Sequence, residues 1–288
     1  MKILLTGATG FLGSHLAKHF IALGHEVVGL RRPTSSMHRL TALENKISWH
    51  LIDELWASTD KILAGVDAIV HTAASYGRNN ESLAEVINTN IAFPLRLLDV
   101  ASASGIDAFI NTDSALPRAF NAYSLSKAQF ADWGKHFTER NGTTFINFLL
   151  DHMYGPGDDP TKFSDYVIEA CLNNQPELRL TPGEQKRDFI FIDDVIAAYD
   201  AVLGCIGNGL HGYHDIPLGS GHAISIREFV DTVHELAGSS AQLCYGAIPY
   251  RANEIMLSVA DTRKLQALGW TCHYSLEAGL TKTIRSKR

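Results

Sequence analysis

Four cysteines among 288 residues are too few and too dispersed for a disulfide framework. Cys171, Cys205, Cys244 and Cys272 share no metal-ligand spacing. They read as reduced, mostly buried thiols of a cytoplasmic protein, and no metal is expected. No apolar run approaches the roughly 20 residues that span a bilayer. The opening MKILLTGATG lacks the longer apolar stretch and cleavage site of a signal peptide, so neither membrane nor export is expected. Positive charge is not in excess: 25 Lys and Arg against 31 Asp and Glu leave a formal net charge of -6, which argues against a nucleic-acid-binding surface. The basic end, Lys282 to Arg288, reads as a solvated tail. Internal repeats and low-complexity segments are lacking too.

What is present is a globular composition, 45% hydrophobic and 19% charged, on a chain long enough for one large domain or two smaller ones. Strands and helices alternate from the start. KILLTG is a short apolar strand, FLGSHLAKHFIALG a helix ending at the C-capping Gly24, and HEVVGL the next strand. DAIVHTAA and DAFINTD are buried strands. Between them Leu83 to Gly105 reads as a helix interrupted near Pro94. YSLSKAQFADWGKHFTER is a long helix and TFINFLL a strand. This order predicts an α/β fold with a doubly wound parallel sheet. After MYGPGDDP the elements are shorter and mixed. FIFIDDVIAAYDAVLG reads as a strand and helix returning to the main body, SIREFVDTVHELAG as an amphipathic helix, and GAIPYRANEIMLSVADTRKLQALGW as a loop leading to a terminal helix. A large N-terminal nucleotide domain and a smaller C-terminal cap are expected.

TGATGFLG places Gly7, Gly10 and Gly13 between the first strand and the first helix. Glycines there permit a tight turn and close backbone approach to a pyrophosphate, which the free N–H groups of the helix start attract. NAD-preferring folds usually carry an acid at the end of the second strand. Here VVGLRRP offers Arg31 and Arg32, which suit a 2′-phosphate, so NADPH is expected ahead of NADH; the alternative is two solvated surface arginines. Asp53 is a candidate for the adenine amino group, or a simple helix cap. Tyr123 and Lys127, in NAYSLSKAQF, share one helix face. By spacing alone they could be a half-buried tyrosine beside a solvated lysine.

Taken with TGATGFLG, HTAA (71–74), NTNI (88–91), YSLSK, YGPGD (154–158), QKRDFIFIDDV (185–195) and PYRANE (249–254), that pair resembles the extended short-chain dehydrogenase/reductase family of nucleotide-sugar epimerases, dehydratases and reductases. The likeness covers nearly the whole chain. NTDS, YSLSKAQF, HMYGPGDD and LTPGEQKRDFIFIDDV are most similar to its 4-keto-6-deoxyhexose reductases, the CDP-abequose and CDP-paratose synthase subgroup. The resemblance implies a Rossmann-type domain, 1–155 plus about 189–215, and a smaller C-terminal substrate-binding domain, about 156–188 and 216–288.

It also implies roles. Tyr123 would be the acid and Lys127 would lower its pKa, with Ser114 or, second, Thr112 orienting the carbonyl. Gly7, Thr9, Gly10, Phe11, Leu12, Gly13, Arg31, Arg32, Asp53, Ala73, Ala74, Asn90, Tyr123, Lys127 and His152 would meet the cofactor. Arg187 and Arg251 would hold the diphosphate of a nucleotide sugar, their alternative being ion pairs with Asp188 or Glu254. Ser75, His152, Lys162 and Phe163 would also face substrate. The chain departs from the family where Leu149 and His152 replace an arginine and an asparagine. It also lacks the Asp-Glu pair of a 4,6-dehydratase. Net 4-keto reduction with NADPH is the expectation. A 4-epimerase with tightly held NAD is the alternative, and a non-catalytic NADP sensor is more remote. The helices at 83–105 and 123–140 carry apolar residues on more than one face, and the resemblance implies a homodimer through them.

Overall fold

The computed structural model describes residues 1–288 except Asn79 and Asp107; the first residue of the expected strand DAFINTD thus lies outside the described residues. In chain order the strands are β1 (Lys2–Thr6), β2 (Glu26–Arg31), β3 (Ile47–Leu51), β4 (Ala68–His71), β5 (Ala108–Ser114), β6 (Thr144–Leu150), β7 (His152–Tyr154), β8 (Glu177–Leu180), β9 (Lys186–Phe191), β10 (Tyr213–Leu218), β11 (Ala223–Ser225) and β12 (Gln242–Tyr245). The helices are α1 (Phe11–Ala22), α2 (Ile52–Ala57), α3 (Thr59–Leu63), α4 (Leu83–Ile87), α5 (Phe93–Ala103), α6 (Ala122–Asn141), α7 (Phe163–Leu172), α8 (Ile192–Gly207), α9 (Ile226–Ala237), α10 (Arg263–Ala267) and α11 (Leu276–Lys287). The chain divides into two compact units, 1–149 with 200–216, and 150–199 with 217–288.

The first unit is built on a seven-stranded sheet in the order β10-β6-β5-β4-β1-β2-β3. Parallel registers join β3, β2, β1, β4 and β5. The order reverses at β1/β4, the switch point at which doubly wound sheets bind ligands beyond their strand ends. Central strands are apolar on both faces because helices cover both. Phe109 of β5 stacks on Phe145 of β6 at 5.5 Å and 4°, and Phe130 of α6 meets both edge-on. A side chain at Gly134, one turn further along α6, would strike the Phe145 ring, so this helix lies close against the sheet.

The interruption near Pro94 is a π turn, Asn88–Ala92, ahead of the proline. Pro94 itself falls in the first turn of α5, where its missing N–H costs nothing. The edge strand β3 was not expected at all: Ser48 and His50 break its apolar run, and only Ile47 is buried.

The second unit holds a three-stranded sheet, β11-β9-β7, and a two-stranded one, β12-β8. Asp188 organises its loops from a fully buried position. Its carboxylate accepts from the Ser220, Gly221 and Ala260 N–H groups and the Ser220 hydroxyl at 2.6–3.1 Å. The segment Lys282–Arg288 is not a solvated tail. Its residues up to Lys287 belong to α11, with Thr283 and Ile284 buried, and Lys287 Nζ reaches Asp165 at 3.0 Å and Glu169 at 2.6 Å. The Leu276–Leu280–Ile284 stripe was masked by the basic residues between. Of the four free thiols, only Cys171 is fully buried.

Candidate active site

The glycine loop closes tightly. Gly10 N–H donates to the Gly7 carbonyl at 2.9 Å. Gly7 has φ +67°, and a Cβ there would sit 2.6 Å from Ala73 N, so only glycine fits between β1 and the β4 end. Gly10 is the N-cap of α1 with extended backbone, without a side-chain cap, and the first turn has no acid. The N–H groups of Phe11 and Leu12 therefore open the helix without a carboxylate to compete with an anion, which fits a pyrophosphate. Ala73 and Ala74, half-buried, follow β4, and Thr9 is half-buried within the loop. Arg31 ends β2 half-buried, and Arg32 is exposed, its N–H donating to Ser35 Oγ at 3.0 Å. Asp53 is exposed in the first turn of α2 and does not cap it. Leu51 is the cap residue, and Glu54 reaches back to the Leu51 N–H at 2.8 Å.

The tyrosine and lysine lie at the start of α6. Asn121 caps this helix: its side chain accepts from Ser124 N–H at 2.8 Å, while Ser124 Oγ accepts from Asn121 N–H at 3.1 Å. This reciprocal box fixes where the helix begins, and so places Tyr123 in the first turn and Lys127 one turn on. Lys127 is fully buried. Its ammonium donates to Asn111 Oδ1 at 3.4 Å. Asn111 donates to Asn147 Oδ1 at 2.7 Å, and Asn147 donates to Asp113 at 3.2 Å and Asp215 at 2.8 Å. The Tyr213 hydroxyl donates to Asp215 at 2.7 Å. Burial pushes Lys127 down to about 8, against the pull of the Asp113 carboxylate. Burial raises Asp113, with Lys127 foremost among the groups opposing it.

Tyr123 is half-buried. Enclosure of its hydroxyl, then Tyr76 and the Asp113 carboxylate, hold it well above the usual phenol range, and the Arg78 charge opposes them. The Lys127 head group, one turn further along the helix, turns to Asn111. Thr112 and Ser114 share one face at the end of β5 and are both half-buried. Thr112 Oγ1 donates to the His71 carbonyl at 3.0 Å. Ser114 Oγ accepts from Leu116 N–H at 3.2 Å, a strand-end hydroxyl capping its own backbone.

Asn90, buried in the π turn, accepts from Ser75 N–H and donates to Ser75 O, both at 2.8 Å, and donates to Ser126 Oγ at 2.9 Å. Both of its N–H donors are thus committed to holding the loop that carries Ala73, Ala74 and Ser75. Ser75 is itself buried, and its hydroxyl has no partner among the described residues.

In the second unit Arg187 is buried and paired with Glu254 at 2.5 Å; Asp188, the other partner considered, is spent on its loops. Arg251 is exposed. Lys162 pairs with the buried Asp158 at 2.8 Å. Phe163 begins α7, 6.1 Å from the Phe229 ring. His152 is exposed, 3.7 Å from Asp151, so it is not a packed core histidine.

Tyr76, Arg78, Asn111, Asn147 and Asp215 were missed in the sequence. Asn111 and Asn147 gave a signal: an amide within the buried strands DAFINTD and TFINFLL must find a buried partner.

A glycine loop between β1 and α1, a switch point at β4 and a Tyr-x-x-x-Lys pair on a helix against β5 define a nucleotide-dependent α/β enzyme. The chain belongs to the NAD dependent epimerase/dehydratase family, whose model matches residues 3–214. It is 35% identical over 293 residues to a CDP-abequose synthase of Salmonella muenchen, covering 99% of this chain and 98% of the relative. A UDP-glucose 4-epimerase of Mycolicibacterium smegmatis is 27% identical, covering 99% and 97%. Among solved structures, the UDP-glucuronic acid 4-epimerase of Bacillus cereus, in complex with UDP-glucuronic acid and NAD, has a TM-score of 0.86 at 25% identity, covering 99% and 98%. The UDP-glucose 4-epimerase of Thermotoga maritima has a TM-score of 0.87 at 22% identity, covering 100% and 98%, a likeness of fold. The chain is an enzyme of this family, built on a Rossmann-type, doubly wound parallel sheet. Among the described residues no helix is long and apolar enough to cross a membrane.

Proposed function

We propose that the protein reduces the 4-keto group of a CDP- or dTDP-linked 4-keto-6-deoxyhexose, with NADPH as reductant. The observation that carries this reading is the Tyr123 phenol, kept protonated on the same helix face as the buried Lys127, in a chain 35% identical to a CDP-abequose synthase. When bound, a reduced nicotinamide would supply a hydride to the carbonyl carbon. The chain's task is to orient the carbonyl and give its oxygen a proton. Tyr123 O–H is the donor, and Thr112 or Ser114 directs the carbonyl oxygen toward it. Lys127, drawn to Asn111, holds positive charge beneath the site. The loop from Gly7 to Gly13, Ala73 and Ala74 receive the dinucleotide. In the second unit, Arg187 is the ligand proposed for the substrate's diphosphate, with Arg251, Lys162, Phe163 and His152 as further contacts. Bidentate guanidinium contacts suit a diphosphate.

The cofactor choice rests on Arg31 and Arg32. Losing one 2′-phosphate contact should cost about 1.5–3 kcal/mol, as for a hydrogen bond to a charged group, or roughly ten- to hundred-fold in affinity. Arg31→Asp is therefore expected to weaken NADPH binding by that factor and leave NADH binding nearly unchanged, as read by fluorescence titration. Equal losses for both would assign the two arginines to the surface. The wild-type protein should consume one NADPH per keto sugar reduced. The 4-epimerase reading is favoured by the relatives of that name. It requires product formation with only catalytic NAD, and that stoichiometry would replace the reductase.

Assembly as a homodimer is proposed through α4 and α6. Leu83 and Ile87 lie one turn apart on α4, and Leu125 and Trp133 two turns apart on α6; all four are exposed. Light scattering at micromolar protein should give twice the 31.6 kDa chain mass. A monomer there would remove the interface.

A further inference from the structure

The loop after β4 carries two side chains with no part in the reductase reading. The Tyr76 ring lies 4.8 Å from the Tyr123 ring, centroid to centroid, tilted by 32°. The Arg78 guanidinium sits over the Tyr76 ring, 5.2 Å from its centroid. Tyr76 remains 44% exposed, so burial of its own ring does not account for its place.

The backbone accounts for it. Ser75, just before, has its N–H and C=O both bonded to Asn90. Gly77, just after, turns the chain with φ +67°. Asn90 spends its other N–H on Ser126 Oγ, and Ser126 Oγ donates to the Tyr123 carbonyl at 2.8 Å. One buried amide thus ties the loop to α6 beside the two phenols. A fully satisfied buried amide of this kind specifies a single arrangement.

We infer that Tyr76 is a positioning residue for the proposed acid: seated by the Asn90 clamp, its ring covers Tyr123 and shields the Tyr123 hydroxyl from water. The inference rests on the reading of Tyr123 as proton donor. Around this phenol stand Tyr76 and Arg78 from the loop, Asp113 from β5 and, one turn along α6, Lys127; Tyr76 and Asp113 favour the neutral form, and Arg78 favours the phenolate. Tyr76→Phe keeps the cover, whereas Tyr76→Ala removes the covering ring and opens the Tyr123 hydroxyl to water, so Tyr123 should ionise at lower pH. Arg78→Gln removes the opposing charge and should move it higher.

The test is fluorine NMR of the full chain labelled with 3-fluorotyrosine, with the Tyr123 signal assigned by its loss in Tyr123→Phe. Fluorination lowers every phenol's pKa and brings this one toward the accessible range. Tyr76→Ala is expected to lower the Tyr123 midpoint by about one pH unit, Tyr76→Phe to leave it close to wild type, and Arg78→Gln to raise it. A midpoint unmoved by Tyr76→Ala overturns the inference. With a 4-keto-6-deoxy nucleotide sugar as substrate, the alkaline limb of kcat/KM should move with the NMR midpoint. If the midpoint shifts but no keto sugar is turned over, the role of Tyr76 stands and the reductase reading falls. Turnover with an unmoved midpoint leaves the reductase and removes Tyr76 from it.

Discussion

Tyr123→Phe is expected to lower kcat by roughly 10²–10⁴, the range for loss of a positioned proton donor, while cofactor affinity and thermal stability stay close to wild type. The removed atom is one hydroxyl oxygen. The ring remains half-buried against Tyr76, and the helix start is held by Asn121 and Ser124 rather than by the tyrosine. The measurement is steady-state NADPH consumption against a 4-keto-6-deoxy nucleotide sugar, with KM determined separately. Turnover near wild type would mean that another group delivers the proton.

Lys127→Met is expected to make the protein less active and more stable. Burial depresses this lysine from 10.5 to about 8. Keeping it charged in the fold near neutral pH therefore costs about 3 kcal/mol relative to a neutral side chain of the same shape. Loss of its bond to Asn111, worth about 1 kcal/mol, leaves a net gain of about 2 kcal/mol. The sign with pH follows from the depressed value. The unfolded chain binds the proton more tightly, so wild-type stability should rise as pH increases from about 8 toward 10.5, and the variant should lack that component. Thermal melts of both proteins across this range make the comparison. A variant less stable than wild type at pH 7, or one with the same pH slope, would show that the buried charge is not a burden on the fold. A cost retained at such a position is usual where function needs a group that packing would reject.

The parts legible in the sequence were those with short-range causes. The glycine loop, α6 and the βα order follow from turn chemistry, caps and periodicity within a few residues. The end of α11 was hidden because basic residues interrupt its apolar stripe. The network beneath Lys127 was hidden for another reason: Asn111 and Asn147 are 36 positions apart, and Asn147 and Asp215 are 68 apart. Such pairs are brought together by sheet topology, and no local pattern announces them. The same holds for Tyr76 and Tyr123. Spacing places Tyr123 and Lys127 on one face without saying where their long ends turn, and the Lys127 head group goes to Asn111.

The late arrival of β10 bears on synthesis. The first unit takes its residues from 1–149 and again from 200–216, and β10 lies beside β6 at the end of the sheet. A nascent chain that has emerged only as far as β6 presents that strand as an open edge, with the Asn147 amide lacking Asp215 and the Phe145 N–H lacking the Gly212 carbonyl. Open apolar edges invite pairing with other chains. The nucleotide unit cannot close behind the ribosome in one pass: it must wait while 50 residues of the second unit, 150–199, are made. Truncation at the end of β6 would accordingly give an aggregating fragment rather than a small nucleotide-binding domain.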